Sequence, residues 1–372
     1  MIEMNNAVIF RHRKAIWFWP LVLSCFGILT IASITSKGGL DGQINLYSTS
    51  GRQLFSLVLG FISMLMVSMI PLVFWRKFSS IFWIIAISMT IATIIPGIGV
   101  TGGGARRWLS VGNFMLQPLE ALSLFVPIHL SKCLADSEGA PFEVFLRITV
   151  IVIVASVWAL LLQPNFGGMV LIVLLCMSIH VENRGWKYPI LSIPIFLSIT
   201  YPMITYFGYR MRRITAFLDP WSDPLNSGFQ VIQGLIAFAN GGVSGVGIGK
   251  GLQKLNYLPA AHTDYIFPAI GEEFGIIGTL SVLAIFGFWF LVIWRLYRKQ
   301  QDDFSSTLTW GLAVSIALPL FINLGGVLNL APLTGIPLPF ISYGGSSLLF
   351  MWIKVGVLVR IAKESALARV AT

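Results

Sequence analysis

Residues 266–294 read IFPAIGEEFGIIGTLSVLAIFGFWFLVIW, and this stretch decides the fold class. From residue 276 onward it carries no charged side chain. Its length exceeds the roughly 20 apolar residues with which an α-helix crosses the hydrocarbon core of a bilayer. The stretch therefore predicts a membrane-spanning helix.

The rest of the chain has the same character. Of its 372 residues, 56% are hydrophobic and only 11% are charged, whereas a soluble domain carries about a quarter charged residues. Further apolar runs of spanning length lie near residues 15–35, 53–75, 79–99, 116–135, 143–163, 166–182, 187–208, 306–328 and 340–361. We therefore predict an all-α, polytopic integral membrane protein with about ten transmembrane helices. It forms a single membrane domain over residues 1–372, with one large loop at about 209–265.

The distribution of Lys and Arg predicts the orientation, because these residues are enriched in cytoplasmic loops. With a cytoplasmic N-terminus, 16 of the 25 Lys and Arg residues lie inside or near the inner face, Lys354 among them. An even number of spans then places the C-terminus in the cytoplasm and loop 209–265 outside. The net charge of +10 is scattered in small groups between apolar runs, which is typical of membrane loops and does not indicate nucleic-acid binding.

A first polar outer segment, TGGGARRWLS at 101–110, precedes the fourth predicted span. Arg106 and Arg107 offer planar donors suited to phosphate or carboxylate, and Trp108 could stack on a sugar ring. An interfacial loop with snorkelling arginines explains the same residues. Chemistry alone does not decide between the two interpretations.

The long loop holds further cations, including Arg210, Arg213 and Lys254, and predicts a short interfacial helix from Gly228. Its segment 240–251 is rich in glycine, but the Gly-x-Gly pattern there lacks the strand–turn–helix context of a nucleotide-binding fold.

Asp264 lies at the entrance to the apolar stretch quoted above. Partial desolvation there raises the pKa of a carboxyl toward values useful for a general base. An N-cap of the helix is the alternative interpretation. Glu272 follows at i+8, near the same face of a continuous helix. Glu120 in the fourth span is a candidate for the same reason, with Arg107 as a potential partner, since ionisable groups at membrane depth are functional candidates by default.

The last polar segment, TGIPLPFISYGGSS at 334–347, contains Ser346. Its glycines and serines suit close helix packing, which alone explains them well. Three cysteines, Cys25, Cys133 and Cys176, have no partner at metal or redox spacing. The sequence therefore predicts no metal site built by protein ligands.

Several of these motifs occur together in one order. They are RRW at 106–108, QPLE at 117–120, QPNFG at 163–167, YRMRRITAFLDPWSDP at 209–224, GFQVIQ at 228–233, QKLNYLP at 253–259, HTDYIF at 262–267, GEEFG at 271–275 and GIPLPFISYGGSS at 335–347. From about residue 100 to its end, the chain resembles the shape, elongation, division and sporulation (SEDS) family of peptidoglycan glycosyltransferases, which includes FtsW, RodA and SpoVE. Residues 213–221 and 228–230 look more like the division or sporulation branch.

Four positions depart from the family pattern. Ser123 and Thr334 stand where lysine is common, Asn165 replaces an aspartate, and Ala260 replaces a glutamate. These departures put accessory polar roles in doubt and leave the acid and arginine motifs in place.

The resemblance implies a polymerase that joins lipid II units into β-1,4 glycan strands on the outer face of the inner membrane, for septal synthesis during division. It implies Asp264 as the catalytic base. The substrate-binding residues that we infer are Arg106, Arg107, Trp108, Glu120, Arg210, Arg213, Lys254, His262, Thr263 and Ser346.

The expected partners are lipid II, a class B penicillin-binding protein that crosslinks the strands, and other membrane proteins of the division machinery. A divalent cation on the pyrophosphate, Mg or Mn, is compatible with this chemistry, although no ligand cluster marks one.

Three other functions are alternatives to a septal polymerase. They are an elongation polymerase of the RodA type, a lipid II flippase, which ten spans and intramembrane acids would suit, and a scaffold that only recruits division partners. A flippase needs polar groups through the midplane, whereas a polymerase needs them at the outer surface.

Overall fold

The computed structural model describes residues 2–35, 48–102, 105–112, 114–137, 140–206, 208–252 and 258–371. Most of them are helical. The helices are α1 (Ile2–Thr35), α2 (Thr49–Val67), α3 (Leu72–Ala92), α4 (Pro118–Ala135), α5 (Pro141–Val144), α6 (Ile151–Leu162), α7 (Phe166–Arg184), α8 (Lys187–Tyr206), α9 (Gly208–Leu218), α10 (Phe229–Gly241), α11 (Ile266–Tyr297), α12 (Asp303–Val327) and α13 (Gly345–Ala371). A π-helical stretch, Phe145–Val150, joins α5 and α6 into one rod.

The prediction of a polytopic helical membrane protein is confirmed. Within the described ranges, eight helices are long and apolar enough to cross a membrane. The two remaining predicted spans, near 116–135 and 187–208, are the helices α4 and α8, so the count of ten stays a prediction. Large apolar side chains such as Leu29 and Val73 are exposed on the outside of the bundle, where lipid solvates them.

The boundary between the second and third predicted spans is wrong by several residues. We placed these spans at 53–75 and 79–99, but α2 ends at Val67 and α3 begins after Pro71. Proline lacks the backbone N–H that would continue the helix, so the chain turns there, inside what the sequence presents as one apolar run.

A small antiparallel sheet, absent from the predicted all-α fold, lies between α3 and α4. Its strands are β1 (Gly99–Gly102), β2 (Ala105–Val111) and β3 (Phe114–Leu116), in the order β1-β2-β3. Trp108 pairs with Val100, and Leu109 pairs with both Gly99 and Leu116. We call the end of the bundle that carries this sheet the sheet end.

Helix α13 forms the centre of the bundle, and most of the residues in its most apolar part, within Gly345–Leu367, are buried. It packs against α1, α2, α4 and α12. The prediction that Lys354 lies near the inner face is wrong: its side chain is completely buried. Because α13 begins at Gly345, Lys354 lies about 13 Å along the helix from the sheet end.

The kink in α11 anchors the glycine-rich segment. At Gly275 the backbone leaves helical geometry (φ 66°, ψ −163°). Ser33 Oγ lies 2.7 and 2.8 Å from the two carboxylate oxygens of Glu273, and Gly249 N donates to Oε1 at 3.1 Å. Leu252 N donates to Glu272 Oε1 at 3.2 Å. These acids hold the glycine-rich segment on the helix.

The expectation that Glu272, at i+8, lies near the same helix face as Asp264 is therefore wrong. Asp264 precedes the first residue of α11, Ile266, so the two residues do not share one continuous helix. The carboxylate of Glu272 faces the glycine-rich segment instead.

Candidate active site

A cavity of about 1440 Å³ lies at the sheet end of the bundle. Its walls come from the starts of α2, α4 and α13, from β2 and β3, and from the segments around residues 264 and 335. Seven of the predicted site residues line it: Arg107, Trp108, Glu120, Arg213, Thr263, Asp264 and Ser346. Residues far apart in the sequence thus meet in one chamber.

Asp264 lies in a turn that opens α11. Ala260 O accepts hydrogen bonds from the backbone N–H groups of Thr263 at 2.9 Å and Tyr265 at 3.3 Å. Tyr265 is the residue that flanks α11, and no side chain caps that end of the helix. The capping interpretation of Asp264 therefore fails, and its carboxylate remains as a wall of the cavity.

The backbone around Asp264 is held from both sides. Asn323 Nδ2 donates to Asp264 O at 2.9 Å and to Ile336 O at 2.8 Å. Ser342 Oγ donates to Thr263 O at 2.7 Å and accepts from Leu338 N at 2.9 Å. These bonds fix the acid to α12 and to the segment that precedes α13.

Gln53 extends this framework to α2. Its Nε2 donates to Ser342 O at 3.0 Å, and its Oε1 accepts from Gly344 N at 3.1 Å. The sequence analysis missed Gln53, Asn323 and Ser342. Gln53 and Asn323 are buried amide side chains within apolar helices, a signal that would have identified both as structural candidates.

Arg213 is the cation that acts on Asp264. Burial raises the pKa of Asp264, and the positive charge of Arg213 opposes that rise. Arg213 Nη1 also donates to Leu333 O at 2.7 Å, which orients the guanidinium. A carboxyl with a raised pKa, next to a fixed cation, suits proton abstraction close to an anionic group.

Gly335 lies beside the carboxylate of Asp264 and the guanidinium of Arg213 and, having no side chain, leaves the space next to them free. Its φ is +77°, and a methyl group added there would lie 3.3 Å from Asp264 Oδ2 and 3.9 Å from Arg213 Nη1. A residue with a side chain would be strained by that backbone angle. It would also occupy the space between the two charged groups.

Arg106 and Arg107 point in different directions from β2, as neighbouring residues of a strand do. Arg107 lines the cavity and donates to Pro164 O at 3.1 Å. Arg106 is not among the lining residues and donates to Ile94 O at 3.3 Å. Of the two, only Arg107 can face a ligand in the cavity.

Glu120 lies in the first turn of α4 and is 7% exposed. Ser123, one turn further along α4, also lines the cavity, and its Oγ donates to Glu120 O at 2.8 Å. Ser346 Oγ accepts from Gln117 N at 3.3 Å, which ties α13 to the start of α4.

The remaining predicted residues lie elsewhere. The ring of His262 lies 5.7 Å from the ring of Tyr343, is absent from the cavity lining, and has a pKa that burial lowers. The side chain of Arg210 and all of Lys254 lie outside the described residues. Arg52, at the start of α2, lines the cavity and was missed. Its signal was a cation at the outer end of a predicted span.

Fold and site together define a class: a polytopic helical membrane protein with a cavity of arginines and carboxylates at one end of the bundle. The model of the FtsW, RodA and SpoVE family, described as "Cell cycle protein", matches residues 13–367. The chain belongs to this family, and the resemblance seen in the motifs is confirmed.

Individual relatives agree along nearly the whole chain. "Probable peptidoglycan glycosyltransferase FtsW" of Nitrosococcus halophilus is 38% identical over 347 residues, which cover 91% of this chain and 89% of the relative. "Stage V sporulation protein E" of Bacillus subtilis is 36% identical over 352 residues, covering 93% and 95%.

Two solved structures share the fold. A chain from the structure described as "Structural coordination of polymerization and crosslinking by a peptidoglycan synthase complex" has a TM-score of 0.77 and 24% identity, covering 94% of this chain and 97% of its own length. The rod shape determining protein RodA of Thermus thermophilus has a TM-score of 0.70 and 20% identity, covering 94% and 96%.

Proposed function

We propose that this chain, a peptidoglycan glycosyltransferase of the FtsW, RodA and SpoVE family, polymerises lipid II in the cavity, with Asp264 as the general base. One observation carries the proposal: the cavity gathers a carboxylate of raised pKa and three arginines, Arg52, Arg107 and Arg213. Relatives that align with most of the chain are named peptidoglycan glycosyltransferases, which supports the reaction class.

The reaction needs a base for a sugar hydroxyl. The 4-hydroxyl of one lipid-linked disaccharide attacks the anomeric carbon of another, and its proton passes to Asp264. The bond from the anomeric carbon to the diphosphate breaks, and the polyprenyl diphosphate leaves with the electron pair. Attack on the face opposite the leaving group inverts the configuration and gives a β-1,4 linkage.

The arginines stabilise the departing diphosphate. Preorganised cations that face developing negative charge are usually the largest electrostatic contribution to a reaction of this kind, and guanidinium groups bind phosphate oxygens in a bidentate manner. Arg213 and Arg107 are both oriented by hydrogen bonds to backbone carbonyls, at 2.7 and 3.1 Å. Their positions are therefore set before a substrate binds.

A Mg²⁺ or Mn²⁺ ion bound to the diphosphate would neutralise the same charge. Protein Mg²⁺ sites commonly use one or two carboxylates together with substrate phosphates. The described part of the chain contains no group of three His, Cys, Asp or Glu placed to hold a metal. Most ligands would therefore come from the diphosphate and water.

The cavity suits a substrate delivered from the bilayer. Phe55 and Met115 line it and are 59% and 45% exposed. Apolar side chains that are part of both the cavity wall and the outer surface of the bundle give a polyprenyl tail a route between lipid and site. A soluble sugar donor would have no use for such a rim.

We assign the sheet end to the outer face of the inner membrane. The opposite end carries the Arg76–Asp136 ion pair and Arg184, which donates to Ser137 O at 2.7 Å. Lys and Arg at that end agree with a cytoplasmic face. With the sheet end outside, both termini are cytoplasmic.

The similarity to FtsW supports septal synthesis during cell division, rather than elongation, as the role of this chain. We propose a class B penicillin-binding protein as its crosslinking partner. The support is a neighbour of the same fold, whose description refers to polymerization and crosslinking by a peptidoglycan synthase complex. Other membrane proteins of the division machinery would complete the assembly.

Purified protein in proteoliposomes tests the proposal. Fluorescent lipid II is supplied, and the products are separated by size before and after digestion with a muramidase, which cuts β-1,4 glycan. We expect a ladder of muramidase-sensitive polymer. Movement of lipid II between leaflets without polymer, whether or not a class B penicillin-binding protein is present, would instead favour a flippase and end the polymerase assignment.

A further inference from the structure

A second buried ionisable group lies beneath the cavity, on the central helix α13. Lys354 is 0% exposed, and its Nζ donates to Ser315 O on α12 at 3.3 Å. One backbone acceptor does not satisfy three ammonium donors or balance a charge. A lysine at membrane depth requires a partner of opposite charge.

The position of Lys354 relative to the cavity follows from its neighbours. Met351, three residues earlier on α13, lines the cavity, as does Pro319, four residues after Ser315 on α12. Residues three or four apart lie on the same face of a helix. Lys354 and Ser315 therefore lie one turn below the cavity floor.

Glu120 is the acid whose charge acts on the Lys354 ammonium. It lines the cavity at the start of α4, and α4 packs against α13. Glu120 as a whole residue is 7% exposed, so most of its surface is also removed from solvent. The two charged groups do not approach within the 4.0 Å of a direct salt bridge. Each ion would nevertheless be costly to bury alone, so the charge of one compensates the other across that gap.

The pair has a consequence for binding. A substrate diphosphate is anionic, and the cavity already contains the carboxylate of Asp264. A second uncompensated carboxylate at Glu120 would oppose the substrate, whereas a carboxylate paired with Lys354 does not. Because Lys354 has no exposed surface, it acts through Glu120 rather than by touching the substrate.

We propose that Lys354 is the counter-ion of Glu120, a positioning residue that compensates this carboxylate across a gap wider than a direct salt bridge and keeps the cavity floor neutral toward an anionic lipid substrate. The effect on the substrate rests on the proposed polymerase function, whereas the ion pair itself does not.

Relocating the charge tests the proposal. Lys354→Met should raise KM for lipid II about tenfold, with a smaller change in kcat. Ser123 also lines the cavity and is bonded to Glu120 O, so Ser123→Lys in the Lys354→Met background should restore most of the loss. Ser123→Met in the same background is the matched control, with similar bulk and no charge, and should restore nothing.

Thermal unfolding of the purified protein tests the pair without any activity measurement. Lys354→Met and Glu120→Gln should each lower Tm by roughly 5–10 °C, and the double variant should lose less than the two losses combined. If Lys354→Met fails to fold, recovery of folded protein by the double variant supports the pair in the same way.

Additive Tm losses, an unchanged KM in Lys354→Met, or equal rescue by Ser123→Met and Ser123→Lys would each overturn the proposal. If the Tm losses are not additive but the wild-type protein makes no polymer, the interaction between Lys354 and Glu120 is supported. The proposed effect of Lys354 on substrate binding is then overturned, together with the polymerase function.

Discussion

Gly335→Ala tests whether the space between Asp264 and Arg213 matters for catalysis. The added methyl group would lie 3.3 Å from Asp264 Oδ2 and 3.9 Å from Arg213 Nη1. The first distance is shorter than a relaxed contact, so the carboxylate must move by a few tenths of an ångström. The backbone angle of +77° adds strain of about 1–2 kcal/mol for a residue with a side chain.

Misplacing a catalytic group by about 1 Å can cost a factor of about 10² in rate. A shift of a few tenths of an ångström is smaller, so we expect Gly335→Ala to lower kcat for lipid II polymerisation about 3- to 10-fold, with a modest fall in Tm. The initial rate of polymer formation and the Tm of the same preparation are measured together.

Gly185→Ala is the matched control. Its φ is +92°, and an added methyl group would meet nothing within 4 Å. It caps the C-terminal end of α7, whose other end is capped by the cavity-lining residue Asn165. Its backbone angles (φ 92°, ψ 177°) lie in a region essentially restricted to glycine, so Gly185→Ala should lose at least as much stability and keep its activity. Equal activity losses in the two variants, or a folded Gly335→Ala protein with the wild-type rate, would refute the reasoning about this contact.

Two further predictions concern the arginines. Arg213→Gln removes the positive charge that opposes the rise in the pKa of Asp264, so that pKa should rise further. The acid limb of the kcat–pH profile should therefore move to higher pH. An unmoved limb would exclude Arg213 as the cation that acts on the base. Arg52→Gln should raise KM for lipid II about 3- to 10-fold with little change in kcat. Lys250 is an exposed cation outside the cavity lining, so the control variant Lys250→Gln should leave KM unchanged. Equal effects of the two substitutions on KM would exclude Arg52 from the site.

The apolar runs predicted most of the fold because bilayer thickness dictates helix length. The runs near 166–182 and 306–328 became α7 and α12 with small boundary changes. The sheet could not be predicted in the same way. Its strands have only three to seven residues, and the glycines at 102–104 favoured a loop in the sequence.

The site was partly visible in the sequence. Asp264 and Arg107 stood out as charged residues at the ends of apolar runs and as parts of family motifs. Gln53 and Asn323 stood out in the sequence only as amide side chains in apolar runs. Their partners, backbone carbonyls of segments remote in sequence, could not be predicted from a local pattern.

The error at Lys354 has a specific cause. A cation near the C-terminal end of a predicted span is usually a snorkelling residue at the interface. The last span was predicted from residue 340, but the residues before Gly345 form the segment that holds Asp264, and α13 begins later. The shift places Lys354 inside the bundle, away from the inner face, where the charge of Glu120 acts on it. Ser123, one turn along α4 from Glu120, stands where the family pattern has a lysine.

The most direct test of the account is single-turnover polymerisation of lipid II by the purified Asp264→Asn variant, compared with wild type and with Asp219→Asn. Asparagine cannot accept the proton, so the rate should fall about 10²- to 10⁴-fold. Because burial raises the pKa of Asp264, the ionised carboxylate costs stability as the pH rises through that pKa, and the variant should unfold at the same temperature as wild type or higher at neutral pH.

Asp219→Asn changes an exposed acid of the same loop that accepts a hydrogen bond from Trp221 N at 3.1 Å, and it should keep the wild-type rate. A folded Asp264→Asn protein that polymerises lipid II as fast as wild type would contradict the central claim.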